Sequence, residues 1–320
     1  MDLTPSPPAT GERSHDQIEG VEVERPATSL FFGAHGLRVA WRLPIALSLW
    51  FIVVSVSQTL LLLIPGMREW LHAQSVSGIA TPGLIFFQEV PDLAGALTAM
   101  LVMTKIEGRS FSDYYLPGGE AFGRRFWQGL PFGFLMISLL MAVIAMGHGF
   151  SFGRLELSAG PAVEYGFLYL AGFILVGLFE EASFRGYLQS TLQLAVGFWP
   201  AALVLAAFFG AVHLGNSSEA NYGALMAGCF GLLAAFGLRR TGNLWFVIGM
   251  HTAWDWGETF FYSAPDSGIL ARGHLMNSSF HGPDWLTGGP SGPEASVFSI
   301  LVLILAAVAV HFLFPAKAQT

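Results

Sequence analysis

The sequence has one cysteine, Cys229, so neither an intrachain disulfide nor a cysteine-based metal site can form. A lone small thiol inside an apolar run reads as helix packing. Charge is also scarce. Only 12% of the 320 residues are Asp, Glu, Lys or Arg, roughly half the usual share of a soluble domain. Beside 53% hydrophobic residues and a mean hydropathy of +0.56, that excludes an ordinary soluble globule. No basic patch is interleaved with aromatics, which excludes a nucleic-acid partner. The net charge of −7 gathers in the first 28 residues and in the 254–294 region, so it defines no partner either. No His-Glu-x-x-His or other contiguous zinc signature is present. Residues 1–28 contain Pro5, Pro7, Pro8 and several acids but no apolar run, which predicts a disordered cytoplasmic tail and not a cleavable signal peptide.

What the chain does contain is apolar runs near the bilayer-crossing length of about 20 residues. They fall at Leu43–Ile64, Pro82–Thr104, Phe126–Met146, Ala162–Phe179, Phe198–Val212, Ala220–Leu238, Leu244–Phe261 and Ala295–Phe314. The expected fold is an all-α polytopic transmembrane helix bundle of about eight spans. A transmembrane domain occupies 29–318, with its chemistry concentrated at 162–261. Glu89 and Asp92 interrupt the second run, and the fifth is short. The polar stretch Lys105–Arg125, with Phe111, Tyr114 and Tyr115, is expected at the membrane interface. The Gly/Pro/Ser-rich segment Ser263–Pro293 is expected to be an exposed loop without a core. Basic residues favour cytoplasmic loops. With eight spans and both termini inside, Arg13, Arg25, Arg38, Arg42, Lys105, Arg109, Arg124, Arg125, Arg239, Arg240 and Lys317 lie on the cytoplasmic side. Only Arg68, Arg154 and Arg272 fall outside. The expected location is therefore the cell (inner) membrane, multi-pass, with lipid as a partner.

Three polar constellations interrupt these runs. From Tyr165 to Phe179 there is no charge, and then Glu180, Glu181 and Arg185 arrive together. A charge at bilayer depth costs at least ~2.5–3.5 kcal/mol on insertion scales, so such groups are paired and functional by default. Adjacent helical residues point about 100° apart, whereas residues four apart face each other. Glu181 is thus expected to clamp Arg185 while Glu180 faces the bundle interior, partly desolvated and suited to act as a general base. The second constellation is Phe209-Gly210-Ala211-Val212-His213. The third is His251-Thr252-Ala253-Trp254-Asp255, where His251 lies mid-span and Asp255 one turn on. An acid and two imidazoles converging from three helices fit two chemistries. In one, His213, His251 and Glu180 or Asp255 bind Zn²⁺, which acidifies a bound water. In the other no metal is required: Glu180 with His213 deprotonates water, while His251 and Asp255 orient or stabilise the oxyanion.

In their order and spacing these motifs resemble the CAAX protease and bacteriocin-processing (CPBP, Abi) family, the type II CAAX prenyl endopeptidase-like intramembrane proteases. The resemblance rests on Glu180-Glu181-x-x-x-Arg185, Phe209-x-x-x-His213 and His251-x-x-x-Asp255, and covers Ala162 to Phe261. Asp255 stands where the eukaryotic-type enzymes have Asn. The resemblance implies hydrolysis of a peptide bond in a membrane-embedded cavity, on a peptide or protein substrate at the membrane. Glu180 would be the base, and His213, His251 and Asp255 would complete the site. The family includes members described as metalloproteases and as metal-independent glutamate proteases, so Zn²⁺ and metal-free readings both carry over. A prenylated substrate does not transfer with the motifs.

Rival readings are a haem carrier ligated by His213 and His251, a transporter or proton relay that would enlist Glu89 and Asp92, and a non-catalytic membrane scaffold. Depth poses a further constraint. Glu180 lies toward the cytoplasmic end of its helix, His251 mid-span and His213 toward the far end. A fourth helix running past Arg185 to Gln193, or a fifth broken at Gly215, reconciles them.

Overall fold

Lipid offers no hydrogen bonds to a peptide backbone, so a chain that crosses it must satisfy every amide internally. In the computed structural model each of the eight apolar runs accordingly contains a helix. The structure describes residues 30–33, 36–77, 79–216 and 221–315. The tail expected at 1–28 and Lys317 lie outside the described residues. The chain divides into Met1–Arg38 and Val39–Thr320. In the first, Phe32–Gly33 pairs antiparallel with Gly36–Leu37.

In the second unit the helices are α1 (Val39–Leu61), α2 (Met67–Ser77), α3 (Pro82–Glu107), α4 (Arg124–Met146), α5 (Ala159–Glu181) and α6 (Gln189–Val196). They continue with α7 (Phe198–His213), α8 (Asn221–Thr241), α9 (Leu244–Trp256), the single-turn α10 (Asp284–Thr287) and α11 (Ser299–Leu313). Local chemistry sets the ends of the site-bearing helices. At the start of α3 the Thr81 side chain accepts from the Leu84 amide, and Pro82 occupies a position that needs no donor. Asn243 caps α9 in the same way by accepting from the Trp245 amide. Among the described residues, five helices are long and apolar enough to cross a membrane, the longest being the continuous rod Ala159–Val196. Large side chains on the bundle's outer faces, such as Phe167 at 69% and Phe312 at 76% exposed, have no protein to cover them. An all-α polytopic bundle with a lipid-facing exterior accounts for both features.

The rod Ala159–Val196 changes pitch at Ala182–Leu188, where the helix widens to the π form. A second π turn, Gly257–Phe261, follows α9. Such turns, which insert one residue into the helical register, occur mostly at functional positions. Here the first contains Arg185 of the Glu180–Arg185 motif, and the second begins two residues after Asp255. The rod continues past Arg185 to Val196, and α7 ends at His213.

α9 sits centrally, packed against α4, α5 and α8. Its closest neighbour is α4, and the two backbones meet through glycine. A Cβ on Gly133 would overlap the Met250 carbonyl oxygen, and one on Gly129 the Phe246 carbonyl oxygen. Small residues of this kind allow membrane helices to gain dispersion contact where no hydrophobic force acts between them. We predict that Gly133→Val lowers the melting temperature in detergent by at least about 5 °C through this overlap, the shift expected of a penalty of a few kcal/mol in a chain this size. A melt unchanged by the substitution would show that the helices can separate at no cost.

The segment Ser263–Pro293 differs from the exposed loop expected of its composition. Leu270–Ala271 pairs parallel with Ile79–Ala80, and Ser279–Phe280 pairs antiparallel with Phe150–Ser151. Ala264, Leu286 and Ser291 are buried. The glycines and prolines serve tight turns in a folded cover: Gly288 and Gly292 hold φ of +84° and +100° against neighbouring backbone. Between Lys105 and Arg125 the chain forms the short 3₁₀ turns Phe111–Tyr114 and Gly118–Glu120.

Candidate active site

Glu180 and Glu181 share the last turn of α5 but have separate surroundings. Glu181 is fully buried, and its Oε1 accepts from Arg185 Nη1 at 3.2 Å and from His251 Nδ1 at 2.9 Å. Arg185 is itself 3% exposed, and its guanidinium lies 4.2 Å from the centre of the Phe209 ring. It also fills the space beside Gly231, where a Cβ would overlap Arg185 Nη2. Motif residues on three helices thus meet through the Glu181–Arg185 ion pair, the His251–Glu181 hydrogen bond and the Arg185–Phe209 cation–π contact. The far end of the π segment is fixed too. Tyr187 donates to Glu107 Oε1 at 2.7 Å, and Glu107 Oε2 pairs with Arg42 at 3.2 Å and Arg109 at 3.4 Å.

Glu180 is less constrained. Its Oε2 is buried without a hydrogen-bond partner and lies 3.7 Å from His251 Nε2. That same nitrogen lies 3.5 Å from Asp255 Oδ2. His251 is therefore held between carboxylates on both edges, with Nδ1 directed at Glu181 and Nε2 at Glu180 and Asp255. His213 is fixed differently. Its Nδ1 lies 2.8 Å from the Phe209 carbonyl oxygen, which can only accept, so Nδ1 carries the proton and Nε2 is free to act as a base.

These groups border two adjoining cavities. A polar one of about 510 Å³ is lined by Glu180, His213, His251 and Asp255, and also by Glu89 and Asp92 of α3. A smaller, apolar one of about 190 Å³ is lined by Ala46, Trp50, Ala99, Met100, Phe184 and Val212 among others. Glu180, Phe209 and His213 belong to both linings. The structure thus brings Glu180, His213, His251 and Asp255 to one chamber, with Phe209 on the same lining and Glu181 and Arg185 behind them. The family model described as type II CAAX prenyl endopeptidase Rce1-like matches residues 162–257. Over that stretch, less than half of its length, the chain is similar to this family. No curated protein matches the chain. The Rce1-like segment contains all three motifs and supports a membrane-embedded endopeptidase of the CAAX type.

Several cavity residues fall outside that segment and were not assigned to the site from sequence. Glu89 and Asp92 precede it. As acids inside an otherwise apolar run they carried a visible signal, but the sequence offered a proton route for them, not this chamber. Asp266, Ser267 and Glu294 follow it, on the folded cover, and line the same cavity. Burial and the neighbouring Glu294 push Asp266 up to about 8. No Lys or Arg is among the residues lining this cavity.

The zinc set expected from sequence was His213, His251 and Glu180. Among the described residues the group whose ligand atoms gather within 4.8 Å of one another, as a shared ion requires, is Glu258, Asp266 and Glu294. The histidines are not so gathered. His251 offers Nε2 to two carboxylates, but Nε2 of His213 does not join them. A metal held by the motif residues therefore does not fit this arrangement, and the gathered acids are a different set.

Proposed function

We propose that the chain is a membrane-embedded endopeptidase in which Glu180 activates water for hydrolysis of a peptide bond. The observation that carries this reading is the unpartnered Glu180 Oε2, 3.7 Å from His251 Nε2, on a residue that with His213 lines both the polar and the apolar cavity. A water placed there gives its proton to Glu180, with His213 Nε2 accepting a hydrogen bond from it, and its oxygen attacks the scissile carbonyl carbon. His251, with both ring nitrogens protonated, directs Nε2–H at the developing oxyanion, while Glu181 and Asp255 fix the ring. Collapse breaks the C–N bond, and Glu180 returns the proton to the leaving amine.

The two cavities suggest how a substrate is placed. The peptide backbone lies in the polar chamber, and an apolar side chain or lipid-like group flanking the scissile bond enters the smaller one. The direct test compares membrane proteomes of cells carrying the wild-type protein and the Glu180→Ala variant at equal expression. At least one precursor should accumulate uncleaved in the variant, with its cleavage products found only in the wild type. Identical terminal-peptide profiles would reject the endopeptidase reading.

A further inference from the structure

A second cluster of acids, two of whose members line the polar chamber, lies outside the chemistry proposed above. Glu258 lies on the π turn after α9, Asp266 at the start of the folded cover and Glu294 at its end, in the 3₁₀ turn Pro293–Ala295. Ligand oxygens from the three lie within 4.8 Å of one another. Glu258 is 0% exposed, and neither of its carboxylate oxygens has a hydrogen-bond partner. No Lys or Arg forms an ion pair with any of the three among the described residues. Three carboxylates this close repel one another, and an unpaired buried carboxylate is a strongly disfavoured state.

The remaining contacts show which oxygens are committed. Thr259 Oγ1 donates to Asp266 Oδ2 at 2.9 Å, Trp254 Nε1 to Glu294 Oε1 at 2.8 Å and Ser267 Oγ to Glu294 Oε2 at 2.9 Å. These neutral donors orient Asp266 and Glu294 but bring no positive charge. They leave both Glu258 oxygens and Asp266 Oδ1 open. The Gly292 backbone closes one side, since a Cβ there would come within 3.2 Å of Glu258 Oε1.

We infer that Glu258, Asp266 and Glu294 bind a hard divalent cation of the calcium class, which fastens the 263–294 cover to the end of α9. A set of oxygens with no nitrogen or sulfur selects calcium, magnesium or manganese over zinc. Ligand oxygens within 4.8 Å of one another are close enough to share one ion, and a set of three protein carboxylates suits calcium better than magnesium, which usually keeps several waters and takes one or two carboxylates. The ion ties three separated stretches of chain. Gly268 N already bonds Ser291 O at 2.8 Å, which brings the two ends of the cover into register for it. Asp266, Ser267 and Glu294 line the polar chamber, so occupancy sets the shape of the wall that faces Glu180 and His251.

The test uses the purified full-length protein in detergent, stripped with EDTA and titrated with Tb³⁺ as the calcium probe. The Trp254 indole bonded to Glu294 lies beside the site and should sensitise Tb³⁺ luminescence. The expected result is a saturable signal displaced by Ca²⁺ more effectively than by Mg²⁺, with affinity reduced at least tenfold in both Glu258→Gln and Asp266→Asn. Ca²⁺ should raise the melting temperature of the wild type and not of Glu258→Gln, whose metal-free melting temperature should be the higher of the two because the buried charge is gone. Glu180→Ala should bind as the wild type does, so a negative result here leaves the protease reading standing, and the reverse. Absence of a saturable signal, a signal undiminished in both variants, or stabilisation by acid but not by Ca²⁺ would overturn the cation site; the last would make the cluster one of shared protons.

Discussion

Replacing Glu180 by Gln is expected to reduce the rate of peptide cleavage by a factor on the order of 10²–10⁴, the usual contribution of a positioned general base, while leaving the protein at least as stable as the wild type. The second half distinguishes a base from a structural acid. Glu180 Oε2 accepts no hydrogen bond and lies 3.7 Å from His251 Nε2. Removing a charge that little in the fold satisfies should cost no stability, in contrast to removing one that holds neighbours in place. Gln keeps the volume and loses only basicity. Cleavage by purified protein in detergent, measured beside a thermal melt, reads both quantities on one preparation. Full activity in Glu180→Gln would remove Glu180 as the base, and a large fall in melting temperature would recast it as part of the scaffold.

Much of this arrangement was legible in the sequence because membrane helices obey simple rules. Apolar runs must be helical, and each of the eight segments contains a helix, whereas α2, α6 and the single-turn α10 lie outside them. Spacing of four along a helix then predicted that Glu181 would meet Arg185, and the structure places the two 3.2 Å apart. The depth conflict among Glu180, His213 and His251 demanded either a long fourth helix or a broken fifth, and the rod Ala159–Val196 is the first of these. What spacing could not reveal is contact between elements far apart in the chain. That His251 Nδ1 reaches Glu181 and not Glu180 depends on how α9 is rotated against α5, a packing outcome of Gly177 lying against the Ile248 carbonyl and Thr252. The covering segment was misread for a different reason. Its glycines and prolines suggest a coreless loop, whereas they permit the sharp turns that bring the half-buried Asp266 and Glu294 beside the buried Glu258. Composition records how freely a backbone can turn and says nothing of what the turns enclose.

The ion pair behind the site should show the opposite balance of effects to Glu180. Arg185→Ala leaves Glu181 fully buried with only His251 to answer its charge, and loss of one partner from a buried pair costs about 3–5 kcal/mol. The guanidinium's contact with the Phe209 ring is lost as well, so folded yield and activity should fall together. Neutralising both partners is predicted to separate the two. In Glu181→Gln/Arg185→Met no charge remains buried, the stem of Met fills the space against Phe209, and most of the stability should return, because well-packed neutral replacements of buried pairs are commonly tolerated. Activity should not return with it. The 2.9 Å bond from His251 Nδ1 to the Glu181 carboxylate both orients the ring and stabilises its charged form, and a neutral amide supports that charge only weakly. The double variant should therefore melt near the wild type and cleave at least about tenfold more slowly, the usual penalty for losing a partner that orients a functional histidine. If it recovered full cleavage, Glu181 would act through the fold alone and His251 would need no anionic partner. If it stayed as unstable as Arg185→Ala, the helix junction would depend on the charges themselves and not on filling the space between α5, α7 and α8.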